Sequence, residues 1–314
     1  MFSAVLVVAF FGFGLFYSRG SHLTLADYWR WFVVHLWVES IFEFFGIAII
    51  ALLMVAMGLA SARAALMVAY FTAALTFLSG IIGTAHHYFW YGGPSFWVGW
   101  GAIFSSMEPV PLMTLVVRGL KEYQSIQKEG KAFQYRWPMY FLVAASFWNF
   151  LGAGIFGFLI NLPIINFYEH GTYLTMHHAH AAMFGTYGML SIALLLFSWR
   201  GLVDKAYWKD GILKLSFWGL NGGLFLLAMG TLLPIGAMQA WVSFKEGLWM
   251  ARSADFFEKG AVVLLGTLRV IPDLIIIILG VLPLAYFLVT TYPRLKAAEI
   301  KDEESVWERL GIEL

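Results

Sequence analysis

Cysteine is absent from this 314-residue chain, which excludes disulfides, thiolate metal sites and iron–sulfur clusters held by its own side chains. Charge is also scarce. Asp, Glu, Lys and Arg make up 12% of the residues, where a soluble domain carries about 25%. The net charge of +1 leaves no basic footprint for nucleic acid. What the chain has instead is apolar: 61% hydrophobic residues and a mean hydropathy of +0.75. Predominantly apolar blocks of about twenty residues are long enough to cross a bilayer at about 1.5 Å per residue. Eight can be read, at 2–17, 33–57, 64–85, 96–117, 138–160, 173–198, 216–242 and 261–290. The fold class that follows is an all-α integral membrane protein of about eight transmembrane helices, with residues 1–314 as a single transmembrane domain. The first block has no basic start and no A-x-A-type cleavage site, so it reads as a short membrane helix rather than a signal peptide.

Positive charge is distributed unevenly between the blocks. The 118–137 connection holds Arg118, Lys121, Lys128, Lys131 and Arg136, the 199–215 connection holds Arg200, Lys205, Lys209 and Lys214, and the tail adds Arg294, Lys296, Lys301 and Arg309. The alternate connections are poorer, with no Lys or Arg in 86–97 or 161–172. The positive-inside rule then places both termini in the cytoplasm.

Ionisable residues inside a membrane are costly, so each is a functional hypothesis. Six of the eight histidines fall in or directly at the end of three blocks, and the orientation just derived gives their depth. His35 lies near the outer start of the second block, His86 and His87 at the outer end of the third, and His178 and His180 near the outer start of the sixth. A lone membrane histidine hydrogen-bonds between helices as often as it binds a metal, but five at one depth favour ligation. His35, Glu39 and Glu43 are spaced i, i+4 and i+8, which stacks them on one face of a regular helix. A histidine and a carboxylate one turn apart, joined by two histidines from a neighbouring helix, make a mixed N/O set. Imidazole suits iron, zinc or copper, and the carboxylate favours a harder ion such as iron. His86 and His87 can point the same way only where the helix frays, beside Gly92-Gly93-Pro94. His178 and His180 are about 200° apart around a helix, so they cannot share one metal but can each hold a haem. Ala179, Ala181 and Ala182 would let flat macrocycles approach. Without cysteine, haem here needs histidine as its axial ligand. The Trp, Phe and Met stripes read as lipid-facing or core packing.

Four stretches together resemble the nitric oxide reductase branch of the haem–copper oxidase superfamily: HLWVESIFEFF at 35–45, GTAHHYFWYG at 83–92, FSSMEPVPL at 104–112 and HGTYLTMHHAHAAMFGTYGML at 170–190. The resemblance implies two b-type haems and a non-haem iron, with His35, Glu39, His86 and His87 on the iron, His178 on the high-spin haem and His180 on the low-spin haem. It implies catalytic or proton-delivering roles for Glu39, Glu43 and Glu108. For His170 it leaves a structural or haem-propionate contact, and His22 and His177 match no ligand position. The implied reaction is the reduction of two nitric oxide molecules to nitrous oxide and water, in the respiratory electron transport of an inner (cytoplasmic) membrane.

The family's complete catalytic chain has about twelve core helices. By that measure this sequence corresponds to the C-terminal portion, and the second low-spin haem ligand, calcium-binding groups and any quinol site would come from amino-terminal helices of its own or a separate chain. The electron donor is quinol or cytochrome c, and the ESVWERLGIEL tail is more like the quinol-dependent type. The alternative within the superfamily is an oxygen-reducing terminal oxidase. Many of those carry a tyrosine where Glu39 stands, and one branch carries it on the next helix, where this chain has Tyr70. The alternative from another class is a membrane transporter with a His/Glu ion path.

Overall fold

The computed structural model describes residues 2–107, 109–130 and 133–295. Seven helices among the described residues are long and apolar enough to cross a membrane. We label them α2 (Leu23–Ala56), α3 (Ala62–His87), α4 (Ser95–Lys128), α5 (Arg136–Asn161), α6 (Tyr173–Leu202), α7 (Asp210–Glu246) and α8 (Gly260–Arg294). The predicted first block differs. It forms α1 (Phe2–Phe11) and a 3₁₀ stretch (Gly12–Phe16), which together rise about 25 Å and fall short of the ~30 Å hydrocarbon core. The charged tail beyond Leu295 lies outside the described residues.

The helices outrun the apolar blocks because capping, not hydropathy, sets their ends. α2 begins ten residues before its apolar block, where the His22 side chain accepts a hydrogen bond from Thr24 N–H. Ser61 caps α3 through Ala64 N–H and Thr172 caps α6 through Leu174 N–H. Each side chain satisfies an amide that the first turn leaves bare. Five of the seven spans also contain a π-helical segment, in α2 at Leu36–Phe42, α5 at Asn149–Phe156, α6 at His180–Gly188, α7 at Leu226–Leu232 and α8 at Ile276–Val281. Such widened turns are frequent at functional sites, and two of these abut the histidines singled out above.

The described residues form two compact units, one within 2–122 and 153–170 and the other within 123–152 and 171–295. In the first, α2 and α3 pack antiparallel and the start of α4 lies on the last turn of α3. In the second, α5 packs on α6, α6 on α7 and α7 on α8. Apolar residues are as comfortable in lipid as against each other, so tight backbone approach decides which helix faces meet. Gly219 of α7 supplies one such approach: a Cβ there would stand 2.3 Å from the Leu279 carbonyl carbon of α8. We therefore expect Gly219→Leu to lower the melting temperature of the detergent-solubilised protein, by an overpacking cost of about 1–3 kcal/mol. Gly222→Leu, three residues along the same helix, should be tolerated because nothing lies within 4 Å of its added Cβ. Equal melting of the two variants would contradict this packing.

Candidate metal centre

In the first unit His35, Glu39, His86 and His87 offer ligand atoms that all lie within 4.8 Å of one another. Glu39 is the hub. Its carboxylate is 3.3 Å from His35 Nδ1, 3.7 Å from His86 Nε2 and 3.6 Å from His87 Nε2. Metal bonds of about 2.1 Å at tetrahedral angles separate ligand atoms by roughly 3.4 Å, so these spacings fit one ion among the four. The local backbone brings this about. His35 closes the regular first part of α2, and Glu39 follows on the π-helical turn. His86 and His87 end α3 in a 3₁₀ turn, Gly83–His87, and their Nε2 atoms stand 2.8 Å apart. That tightened helix end lets two consecutive rings converge.

The proton positions can be read from the hydrogen bonds. His35 Nε2 is 3.1 Å from the Ser79 carbonyl oxygen. A carbonyl only accepts, so Nε2 carries the ring proton and Nδ1 holds the lone pair. That Nδ1 is buried, has no hydrogen-bond partner among the described residues, and points at Glu39. A buried imidazole lone pair beside a carboxylate and two further imidazoles is a donor set that fits a metal ion, and the Ser79 carbonyl supplies the outer hydrogen bond that orients such a ligand. Ser105 of α4 donates to Glu39 Oε2 at 3.0 Å. Trp31 stacks on His87 with ring centroids 4.7 Å apart and is fixed by Asp27, which accepts from its indole N–H. At the rim Tyr88 donates to the Tyr28 carbonyl, and burial, with Tyr28, Tyr91 and Asp27 nearby, pushes its phenol above the usual range, so it stays a donor.

His178 and His180 lie in the second unit, and both present the same nitrogen. His178 Nδ1 donates to the Gly152 carbonyl and His180 Nδ1 to the Met176 carbonyl, each at 2.8 Å. Both rings therefore keep Nε2 as the lone-pair nitrogen, the state an axial haem ligand requires. Of the three alanines beside them, Ala181 is fully buried, packed where a Cβ on Gly152 would come within 2.9 Å of it, so it serves the α5–α6 approach and is not open to a macrocycle, whereas Ala179 is exposed.

The remaining predicted residues are more scattered. Glu43 is buried at the end of the π turn but is not one of the four converging groups; the i, i+4, i+8 stacking assumed a regular helix, and the widened turn changes the rotation per residue. Glu108 lies outside the described residues. His22 caps α2, His170 rests 5.0 Å from the Trp31 ring, and His177 is buried. Tyr70 is 72% exposed, sixteen residues before His86 on α3, about 24 Å along the helix axis. Sequence reasoning passed over Asp27, Trp31 and Ser105. The first two were signalled by spacing: Asp27, Trp31, His35, Glu39 and Glu43 recur every fourth residue.

Residues 1–300 match the family model described as cytochrome c and quinol oxidase polypeptide I. The chain is also similar to a nitric oxide reductase subunit from Stutzerimonas stutzeri, 31% identical over 248 residues. That stretch covers 77% of this chain and 51% of the relative, so the chain spans about half the length of the curated protein it matches.

The close fit around His35 yields a test. A Cβ on Gly83 would stand 3.1 Å from His35 Nε2, the atom bonded to Ser79. Gly83→Val should displace the ring and weaken retention of the bound metal by about 10–100-fold, the usual effect of losing an orienting hydrogen bond, measured by metal analysis during chelator dialysis. Gly99→Val, with nothing within 4 Å of its added Cβ, should retain metal normally. Equal retention in both would show that His35 orientation is immaterial.

Proposed function

This chain belongs to the cytochrome c and quinol oxidase polypeptide I family, and we propose that it is the C-terminal, metal-bearing portion of a nitric oxide reductase catalytic subunit. In this reading residues 1–314 form one transmembrane domain of a bacterial inner membrane, with both termini in the cytoplasm. The observation that carries it is the Glu39 carboxylate among three histidines, where many oxygen-reducing members have a tyrosine. The alternative tyrosine on the next helix finds no support, because Tyr70 is exposed and about 24 Å along α3 from His86. Similarity to a nitric oxide reductase chain points the same way. The part-buried carboxylate-centred cluster and the two histidines whose Nδ1 atoms donate to backbone carbonyls also argue against a simple ion transporter.

His35, Glu39, His86 and His87 would hold a non-haem iron, His178 the high-spin haem and His180 the low-spin haem. When bound, the haems supply single electrons and the iron a Lewis-acid site for the second nitric oxide. The protein's own part is to fix those groups and keep water out. Ser79 holds the His35 ring in one tautomer, Gly152 and Met176 do the same for His178 and His180, and Ser105 shares its proton with Glu39. Glu43 and Glu108 would hold and move the protons that oxide removal consumes. Electrons would come from quinol or cytochrome c, and the second low-spin haem ligand and any calcium site from amino-terminal helices.

Purified with those helices and given an electron donor under anaerobic conditions, the protein should convert two nitric oxide molecules into one nitrous oxide, measured by electrode and gas chromatography. His178→Ala should remove the high-spin haem spectrum and His180→Ala the low-spin one. Oxygen consumption without nitric oxide consumption, or loss of one and the same spectrum in both variants, would contradict the proposal.

A further inference from the structure

Two hydroxyls on α3 are placed where a lipid-embedded helix ordinarily leaves none unsatisfied. Thr72 and Thr76 are 1% and 2% exposed, and neither Oγ1 has a hydrogen-bond partner among the described residues. A helical threonine has an easy remedy, since its hydroxyl reaches the carbonyl four residues back. Thr84, Thr114, Thr231, Thr267 and Thr290 all take it. Thr72 and Thr76 do not, so their hydroxyls are left in the packed interior, where an unsatisfied polar atom is costly.

The register of α2 against α3 shows what lies beside them. A Cβ on Gly83 would meet His35, and one on Gly80 would meet Ser40. Continuing antiparallel at an equal rise per residue brings Thr76 level with Glu43, itself 5% exposed, and Thr72 one turn further from the metal centre. Beyond that turn the buried residues of α2 are apolar. Ile50, Ala51 and Met54 of α2 are 1%, 4% and 2% exposed and apolar.

We propose that Thr72 and Thr76 bind water in the α2–α3 seam, forming a closed internal site that solvates the Glu43 carboxyl. The hydroxyls supply the hydrogen-bond partners that a buried water needs, and the apolar end of the seam keeps this water from communicating with the membrane face where α2 ends. The site would stand whichever substrate the metal centre takes.

A high-resolution map of the whole enzyme should show ordered density within hydrogen-bonding distance of both hydroxyls, and none is expected between Thr72 and the Met54 end of the seam. Thr76→Val and Thr72→Val, which keep the shape and remove the hydroxyl, should each lower the melting temperature by removing a hydrogen-bond partner of the bound water. Thr76→Ser should melt like the parent, as should Thr114→Val at a lipid-exposed threonine. Absence of density at the two hydroxyls, or a melting temperature raised by the valine variants as expected for a dry buried hydroxyl, would overturn the proposal. Should a valine variant fail to accumulate, the map of the parent enzyme decides the matter alone.

Discussion

In a bilayer no bulk water is at hand to satisfy a polar group, so buried side chains must answer one another or hold a water of their own. The Glu39 carboxylate meets that constraint by drawing three imidazoles within 3.7 Å and a serine hydroxyl within 3.0 Å. Most of the first unit follows from this. α2 supplies His35 and Glu39, α3 supplies two histidines and the Ser79 carbonyl, and α4 supplies Ser105. Three helices are thus fixed at one depth by a polar knot, where apolar packing alone would let them slide.

Local departures from the regular α-helix bring the polar groups to that depth. The π turn after His35 widens the helix where Glu39 must reach inward, and the 3₁₀ turn at the end of α3 lets His86 and His87 converge. The same device recurs in α6, whose π segment begins at His180. Both haem-ligand candidates spend their Nδ1 proton on a backbone carbonyl, so each ring is oriented before any cofactor binds. Glycines at the helix crossings, Gly83 against His35 and Gly152 against Ala181 among them, allow the backbones near enough for these bonds to form.

Much of this was legible in the sequence because membrane helices advertise themselves by length and hydropathy, and because a histidine in lipid is conspicuous. The ligand grouping could be read from HLWVESIFE and the adjacent His86–His87 pair. The rest was hidden for physical reasons. Hydropathy ends at the first charge, whereas α2 continues ten residues past its apolar block under the His22 cap. Periodicity assumes 3.6 residues per turn, so it stacks Glu43 on the face of His35 and Glu39 and does not show the π turn that lies between them. Ser105, on a third helix, lies in the FSSMEPVPL stretch, but only the folded chain shows that its hydroxyl reaches Glu39.

The central claim is that Glu39 makes this centre a site for iron rather than copper. Metal analysis together with X-ray absorption at the metal edge of the purified enzyme tests it most directly. The account predicts one non-haem iron per molecule with a first shell of three imidazole nitrogens and carboxylate oxygen, lost or weakened in Glu39→Gln while haem is retained. Stoichiometric copper at the site, or full iron retention in Glu39→Gln, would contradict it.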